Sequence, residues 1–443
     1  MILLVVSASV EIPTIRLRRP FFFVSLYILA VGEGGHKPCV QTFAADQFDD
    51  DLPEERRVKS SFFNWWYFGI VCGSTSGVAV LLFGQKYVGW AVGYAMMAAA
   101  MAVAVVLFLA GMRFYRLQGP LGSPFTRVAQ VFVAGVRKRR VMEENWGIYC
   151  EDGDAGTLDR NLARSRQFRF LDKAMFIDSK DASSKTRDPW RLCSLNQVEE
   201  VKLVLRLIPI WLTCVTFYVV QAQSNTYFTK QSSTMDRRIG HRFHLPPPSL
   251  LIILGLIIAT SVAIYDRAFI PIARKITGHP SGITVLTRIG IGHFLSVVAV
   301  IIAARVEAKR VAVAAGNGVE DDPKAVVPMR VWWLLPQYVV LGVADVFAFV
   351  GMQELFYDQM PEGLRSLGAA AYTSALGIGN FMSSGIISAV QGMSLRYGRQ
   401  KWLVDNLNRA HLDYFYLVIA GFCSLNLCAF VWISKGFVYK KLY

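Results

Sequence analysis

Two apolar stretches of the sequence contain ionisable side chains, and these residues are the first candidates for chemistry. In residues 20–45, Glu33 and Lys37 lie four positions apart within the run GEGGHKPC. On a helix, this spacing lets the carboxylate and the ammonium neutralise each other. An ammonium in hydrocarbon costs about 3 kcal/mol, so we expect Lys37 to face a water-filled cavity or a carboxylate. The alternative is an ion pair whose sole role is to let the helix insert into the membrane.

The residues around this pair favour a close neighbour at the same place. Gly32, Gly34 and Gly35 would let another helix or a ligand approach the backbone. Pro38 removes one backbone donor and weakens the helix one turn below. This glycine-rich background favours a functional cavity over a purely structural pair.

The second candidate is Asp345, at the centre of the apolar segment 331–353. A lone carboxylate at that depth can take up and release a proton unless a cation holds it ionised. Lys37 and Asp345 belong to different halves of the chain, so a contact that forms and breaks between them would couple protonation to the opening of a central cavity. We predict proton coupling by Lys37, Asp345 and Glu33. The alternative is a carboxylate satisfied by nearby hydroxyls or a backbone donor.

Polar and aromatic side chains in other apolar stretches could line a pocket for a small polar solute. They could equally form interhelical hydrogen bonds or anchor the helices at the membrane interface. His36 and His293 are isolated in their segments, and we interpret them as packing residues. The predicted substrate-binding residues are Tyr67, Gln221, Gln223 and Gln337, with Asn64, Trp66 and Asn225 as further candidates.

The sequence lacks the common motifs of enzyme active sites. It contains no HExxH, GxSxG, P-loop or CxxC motif, and its seven cysteines lack metal-ligand spacing. We therefore predict no catalytic residue, no metal site and no cofactor. The formal net charge of +15 is typical of basic loops around membrane spans, so we expect no nucleic-acid partner.

These side chains must be positioned by membrane-spanning helices. Of the 443 residues, 53% are hydrophobic and only 18% are charged, whereas a soluble domain has about a quarter charged residues. This composition excludes a soluble globular enzyme and predicts an all-α membrane protein, because nine stretches approach or exceed the ~20 residues that cross a bilayer. Six lack Asp, Glu, Lys and Arg (61–85, 87–112, 207–229, 245–265, 366–395 and 414–434), and three contain ionisable residues (20–45, 281–305 and 331–353).

A long polar segment divides the chain into two bundles. Residues 1–112 are predicted to form a truncated amino-terminal bundle of a stub and three spans, 113–200 a cytoplasmic central loop, and 201–443 a six-helix bundle. This layout is that of a major-facilitator-type transporter, whose substrate site lies between the halves near the midplane. Residues 1–10 are apolar but span only half a bilayer, so we interpret them as a severed helix that begins upstream.

The central loop contains one amphipathic segment, 124–141, which includes the basic run Arg137–Arg140. We expect either a helix on the membrane surface or a solvated linker helix. Lysine and arginine are more numerous on the side of the central loop, but the excess comes from that loop itself. Because the charge rule applies to short loops, it supports a cytoplasmic central loop only weakly.

The candidates in the first half lie in a longer and more specific run. Residues 32–49 (GEGGHKPCVQTFAADQFD) and 62–68 (FFNWWYF) closely resemble the signature of the plant nitrate/peptide transporter family, the proton-dependent oligopeptide transporters. The resemblance covers essentially the whole chain. It continues through 168–176, 225–237, 333–338, 356–367 and 411–416.

The resemblance implies a twelve-span major-facilitator fold that imports solutes with protons by alternating access, with a cytoplasmic central loop and carboxy terminus. It implies that Lys37 matches the family's fourth-helix lysine, and that Asp345 replaces the usual tenth-helix glutamate with a shorter acidic side chain. The sequence also departs from the family. Ala222 stands where peptide-transporting relatives have an acid, Gln221 stands where some members have a nitrate-binding histidine, and the first-helix ExxER cluster would lie before Met1.

The leading hypothesis is therefore a proton-coupled symporter of small solutes such as nitrate, di- or tripeptides, or other small anions. Its predicted partners are the small-molecule substrate, protons and the lipid bilayer of the plasma or vacuolar membrane. Two alternatives stay open. One is a truncated isoform or gene model that does not transport, and the other is a membrane sensor that binds a solute without moving it.

Overall fold

The protein is built mainly of long helices, which satisfy their own backbone polar groups within the apolar stretches. The computed structural model describes residues 1–9, 15–48, 52–116, 123–139, 165, 167–177, 181, 188–240, 243–278, 282–398 and 402–439. The α-helices are α1 (Ile2–Ser9), α2 (Ile15–Ala45), α3 (Pro53–Tyr87), α4 (Trp90–Ala110), α5 (Pro124–Arg137), α6 (Leu195–Asn225), α7 (Tyr227–Ser233), α8 (Ser249–Ile264), α9 (Ile270–Thr277), α10 (Val285–Gly316), α11 (Leu335–Asp358), α12 (Arg365–Gly398) and α13 (Leu412–Lys435).

Short irregular elements complete the described chain. A π-helical turn (Tyr265–Phe269) joins α8 to α9. Strands β1 (Met235–Asp236) and β4 (Val327–Arg330) pair in parallel, and β2 (Arg238–Ile239) pairs with β3 (Phe243–His244) in antiparallel fashion. The 3-10 helices are Gly111–Arg113, Arg169–Met175, Val331–Leu334 and Glu362–Leu364.

Each of the nine predicted stretches overlaps one of the α-helices. Among the described residues, seven helical segments are long and apolar enough to cross a membrane, and they include α3, α4, α6, α8, α10, α11 and α13. The helices α2 and α12 contain 31 and 34 residues, which is also sufficient length. Both contain glycine, serine and ionisable residues among their apolar ones.

Short connections between long helices make sequence neighbours antiparallel, and this defines two sides of the bundle. The α2–α3, α9–α10 and α11–α12 connections lie on the side of the central loop, which we call the loop side. The α3–α4, α10–α11 and α12–α13 connections lie on the opposite, far side. We call α1–α4 the amino-terminal half and α6–α13 the carboxy-terminal half.

Local sequence sets several helix ends. The Ser194 side chain accepts a hydrogen bond from the Gln197 backbone N–H at the start of α6. Thr284 caps α10 in the same way through the backbone N–H of Thr287. On the loop side, α9 ends at Gly278, whose φ of +70° is a backbone conformation that favours glycine.

The carboxy-terminal half is held together by close apolar packing between α10 and α11. A Cβ on Gly292 would lie 2.5 Å from the backbone nitrogen of Ala348, so this approach of the two helices requires glycine. Val297 and Val300 of α10 and Leu341 of α11 are buried in the same core. These helices therefore move as one body unless that packing is broken.

The segment after α4 folds against the first turns of α6. Val131 and Ala134 of α5 are fully buried in a cluster with Leu171 and Val198, whereas Phe125 stays 70% exposed. The sequence predicted either a membrane-surface helix or a solvated linker helix, and neither prediction placed the apolar face of α5 against another part of the protein. Most of that face is covered because α6 extends towards the loop side and presents an apolar face of its own.

Buried ion pairs let α6 begin at Leu195, well before the predicted apolar stretch 207–229. The Lys202 side chain is 0% exposed, and its ammonium contacts the carboxylates of Asp172 and Glu199. Since each buried charge has an opposite charge beside it, these polar turns can remain inside the fold. Hydropathy alone marks only the membrane part of this helix.

A second buried polar cluster joins the far-side ends of the carboxy-terminal helices. Arg310 and Glu307 of α10 are both 0% exposed and form an ion pair of 2.7 Å. Arg310 also donates to Asn408 Oδ1 at 2.7 Å, and Gln231 of α7 donates to Glu307 Oε2 at 2.6 Å. The cluster therefore fixes α7 and the segment before α13 against α10.

Replacing Arg310 with alanine should destabilise the fold, because Glu307 would stay buried without its cation. We expect the free energy of unfolding to fall by about 3–5 kcal/mol, measured by denaturant unfolding in detergent micelles. The control is Arg238→Ala, which breaks an exposed pair with Asp236 and should cost less than about 1 kcal/mol. Equal losses in the two variants would contradict a stabilising role for the cluster.

Candidate functional site

The candidate site surrounds Asp345, in the middle of α11. Asp345 is 1% exposed, and its Oδ2 accepts a hydrogen bond of 3.0 Å from the Gln221 amide of α6. Two residues predicted from the sequence are therefore in direct contact. Because the amide is neutral, and no ion pair to Asp345 is found among the described residues, the carboxylate is buried without a compensating cation.

Aromatic side chains from both halves form a wall beside this carboxylate. Phe349, one helical turn after Asp345, stacks on Tyr67 of α3 with ring centroids 4.5 Å apart. Tyr218 and Tyr372 approach Phe349 edge-on, with centroids 6.3 and 5.9 Å away, a geometry that aromatic quadrupoles favour. Tyr67 thus brings the amino-terminal half to the site. Sequence reasoning missed the other three rings.

Two buried polar atoms near Asp345 have no hydrogen-bond partner within the described ranges. They are Gln221 Oε1 and the Tyr218 hydroxyl. An unpaired buried polar group costs about 1–3 kcal/mol, so native proteins keep few of them. Together with the Asp345 carboxylate, these atoms offer more acceptors than donors, and the site therefore suits a solute that carries N–H groups.

The Glu33–Lys37 pair is present on α2, away from Asp345. Lys37 Nζ lies 2.8 Å from Glu33 Oε2, and the two side chains are 53% and 55% exposed. In the part of the chain that the structure describes, no ion pair joins Lys37 to Asp345. A Cβ at Gly32, Gly34 or Gly35 would meet nothing within 4 Å, so this face of α2 is open.

Pro38 does not interrupt α2, which continues to Ala45. The hydroxyl of Thr42, one turn after Pro38, donates a hydrogen bond of 2.8 Å to the Pro38 carbonyl oxygen. The open glycine face and the Glu33–Lys37 pair therefore lie on one continuous helix. This places the pair and Gln41, which follows Lys37 by one turn, on a single rigid element.

Two other predicted substrate-binding residues lie in different parts of the carboxy-terminal half. Gln223 is 0% exposed and donates to Ser383 Oγ at 2.9 Å. Gln337 is 0% exposed and donates to Gln231 Oε1 at 3.4 Å. Both amides thus join helices of the same half. Since α6 and α11 are buried on several faces, a polar residue in them does not reveal which face lines a cavity.

A polar network on the loop side joins the two halves. Asn64 of α3 donates to Asp266 Oδ1 at 2.8 Å and accepts from Arg288 of α10 at 2.9 Å. Arg288 also pairs with Glu354 of α11 at 3.3 Å. Asp266 lies in the π-helical turn Tyr265–Phe269. Asn64 therefore forms interhelical hydrogen bonds, which is one of the two roles considered for it.

Comparison with known proteins identifies the family. A sequence profile of the POT family matches residues 1–403. The chain belongs to the POT family. Protein NRT1/ PTR FAMILY 5.4 of Arabidopsis thaliana is 52% identical, and the match covers 98% of this chain and 80% of that protein. Protein NRT1/ PTR FAMILY 5.10 of the same plant is 46% identical, with 95% of this chain and 73% of that protein covered.

Solved POT structures share the fold at low sequence identity. An auto-inhibited POT family peptide transporter has a TM-score of 0.62 at 20% identity, covering 95% of this chain and 78% of its own. The POT family transporter PepTSo has a TM-score of 0.58 at 17% identity, covering 94% of this chain and 78% of its own. The family, the all-α membrane fold and the exclusion of an enzyme are confirmed. This POT-family chain is an integral, multi-pass membrane transporter.

In this POT-family chain, Asn64→Leu should weaken the contact between the halves, because Asp266 and Arg288 each lose a hydrogen-bond partner. We expect the free energy of unfolding to fall by about 1–3 kcal/mol, measured by denaturant unfolding in detergent micelles. Asn317→Leu is the matched control, since the hydrogen bond of that exposed amide in the described structure is a local one, to the Val313 carbonyl oxygen at the end of α10. It should change stability by less than about 0.5 kcal/mol, and a similar loss in both variants would contradict the prediction.

Proposed function

We propose that this chain is a proton-coupled symporter that moves small solutes by alternating access. The observation that carries the proposal is the Asp345 carboxylate, which is buried in the middle of a span with a neutral amide as its hydrogen-bond partner. A carboxylate in such a place changes its protonation when water or a cation reaches it. The opening of a cavity towards either side of the membrane would bring that change about.

Lys37 supplies the cation in this scheme. In the structure, Lys37 pairs with Glu33 on its own helix, and Asp345 is bonded to Gln221 in the other half. A protonated Asp345 needs no cation. After the proton leaves, the ionised carboxylate attracts Lys37 across the cavity, and Glu33 loses its partner. This exchange of partners links protonation to the relative position of the two halves.

The acceptors at the site favour one class of solute. The Asp345 carboxylate, Gln221 Oε1 and the aromatic wall that contains Tyr67 and Phe349 suit an N–H-bearing solute with an apolar body, such as a di- or tripeptide. Nitrate or another small anion would need Lys37, which would have to leave Glu33. We therefore rank peptide-like solutes first and small anions second.

The proton dependence of uptake tests the roles of Lys37 and Asp345. In proteoliposomes, uptake of a labelled dipeptide should rise when the outside is acidified, because protonation of Asp345 accompanies solute entry. Lys37→Ala and Asp345→Asn should each lose this stimulation. The matched control is Lys324→Ala, which removes a lysine from an exposed far-side loop and should keep it. Unchanged pH dependence in Lys37→Ala would refute the role given to this residue.

Competition with unlabelled solutes tests the solute class. We expect dipeptides to reduce uptake at lower concentrations than nitrate or acidic plant hormones do, because the site presents acceptors rather than donors. The reverse order would overturn the ranking and favour an anion bound at Lys37. Saturable dipeptide binding without any flux into the vesicles would instead support the sensor alternative.

A further inference from the structure

The far-side part of the carboxy-terminal half encloses polar atoms without hydrogen-bond partners. Gln337 and Tyr338 of α11 and Tyr416 of α13 are 0% exposed. Within the described ranges, Gln337 Oε1 and the two tyrosine hydroxyls have no hydrogen-bond partner. Both tyrosine rings pack edge-on against Phe228 of α7, each with centroids 5.6 Å apart. These atoms therefore belong to one buried group.

This buried group adjoins the Glu307–Arg310 cluster and reaches the far-side surface. Gln337 donates to Gln231, and Gln231 donates to Glu307. The Thr234 hydroxyl donates to the Gln231 carbonyl oxygen at 2.9 Å and accepts from Arg310 Nη1 at 3.2 Å. Thr234 is partly exposed, so this end of the group is accessible from the far side.

Hydroxyl groups of α6 and α7 extend the group to Asp345. The Tyr338 hydroxyl lies beside the Thr229 side chain, whose own hydroxyl donates to the Ser224 carbonyl oxygen at 2.8 Å. The Ser224 hydroxyl donates to the Gln221 carbonyl oxygen at 2.7 Å, and the Gln221 amide holds Asp345. We call this series of groups from Thr234 to Gln221, with Tyr416 at its side, the polar track.

An apolar side chain separates Tyr338 from Asp345 on α11 itself. The two residues are seven positions apart, or about 10 Å along the helix axis, and they share one face. Leu341 lies between them on this face and is 0% exposed. A direct link along α11 is therefore blocked, and the polar groups pass around Leu341 on α6 and α7.

The unpaired atoms of the polar track match the hydrogen-bonding capacity of water. The Tyr338 and Tyr416 hydroxyls can donate or accept, and Gln337 Oε1 can accept. At the other end of the track, Gln221 Oε1 is also unpaired. Buried water typically makes about three hydrogen bonds to such groups. The Glu307–Arg310 pair carries no net charge that an ion would have to balance, so the occupant that fits is neutral water.

We propose that the polar track holds buried water and carries protons between the far side and Asp345, an inference that rests on the proposed function. A proton that enters beside Thr234 displaces another at each water or hydroxyl, so every group gains one proton and gives up one. The last water, bound at Gln221 Oε1, transfers its proton to the Asp345 carboxylate, which becomes neutral. The solute reaches the same carboxylate through the cavity between the halves, so protons and solute arrive by separate routes.

Tyrosine-to-phenylalanine changes test the track with little effect on packing. Tyr338→Phe and Tyr416→Phe each remove a hydroxyl and keep the ring on Phe228. The matched control is Tyr414→Phe, which removes the hydroxyl of a 45% exposed residue on the same helix as Tyr416. In proteoliposomes, uptake of a labelled dipeptide driven by a proton gradient is compared with exchange of labelled for unlabelled dipeptide at equal pH. Exchange needs the solute site and the movement of the halves but no net proton flow.

The proposal predicts that gradient-driven uptake and exchange respond differently. We expect Tyr338→Phe to slow gradient-driven uptake about tenfold, because the proton loses a donor and acceptor on its route. Tyr416→Phe should slow it less, since that hydroxyl lies at the side of the track. Exchange should be preserved in both variants, and Tyr414→Phe should change neither measurement. Unchanged uptake in Tyr338→Phe, or an equal loss of uptake and exchange, would overturn the proposal.

Infrared spectroscopy tests the water itself. Difference spectra between acidic and alkaline buffer are recorded in ordinary water and in oxygen-18 water, because the bands of bound water shift with the oxygen isotope. We expect shifting O–H bands of buried water in the unaltered chain and in Tyr414→Phe, and their loss when Tyr338→Phe and Tyr416→Phe are combined. The same bands in the combined variant, or none in the unaltered chain, would count against a hydrated track. If the unaltered chain shows no gradient-driven uptake, the proposed function fails, whereas these bands still report on the track.

Discussion

A charge buried in an apolar bundle must be compensated, and the structure meets this requirement differently at Asp345 than elsewhere. Glu307 lies beside Arg310, and Glu354 lies beside Arg288. Such pairs are tolerated only while both charges stay together, so they suit positions that do not change. Asp345 has an amide for a partner, which leaves its ionised form uncompensated. The remainder of the site has to supply either a proton or a cation.

The helix that carries this carboxylate also carries contacts to the opposite half along one face. An amphipathic surface helix would present apolar residues there, but α11 alternates Asp345 and Gln353 with the rings of Phe349 and Tyr357. The rings give this face contact area, as Phe349 does against Tyr67, and the polar groups give it hydrogen bonds, as the Tyr357 hydroxyl does to Asp46.

Much of the fold could be predicted because hydrocarbon imposes a length and a polarity on each span. The signature around Lys37 also identified the family. The start of α6 was missed because its first turns carry charged residues, and a hydropathy pattern does not show whether charges are paired. Lys202 of α6 is buried in an ion pair with Asp172. The partner of α5 was missed because an amphipathic pattern shows that a face is covered but not by what.

The candidate site was predictable only in part. Asp345 and Gln221 stand out as polar residues in apolar stretches, and the structure joins them. Gln223 and Gln337 stand out equally, yet they bond within one half, because the direction of a side chain depends on tertiary packing. Tyr218 and Tyr372 were missed because their rings count as apolar in a hydropathy pattern. The four-residue spacing of Asp345, Phe349, Gln353 and Tyr357 was the available signal that they share one face of α11.

In the proposed mechanism, the open face of α2 gives the exchange of partners a physical route. Among the described residues, the ion pair of Lys37 is with Glu33 on its own helix, and both side chains are more than half exposed. In the water-filled cavity that we propose, such a pair is worth less than about 1 kcal/mol. Separating Lys37 from Glu33 therefore costs little free energy. An ionised Asp345 in a dry site, by contrast, is a strong attractor for a cation. In the proposed mechanism, the imbalance between a weak pair on α2 and an uncompensated acid on α11 would set the direction in which Lys37 moves once the proton has left.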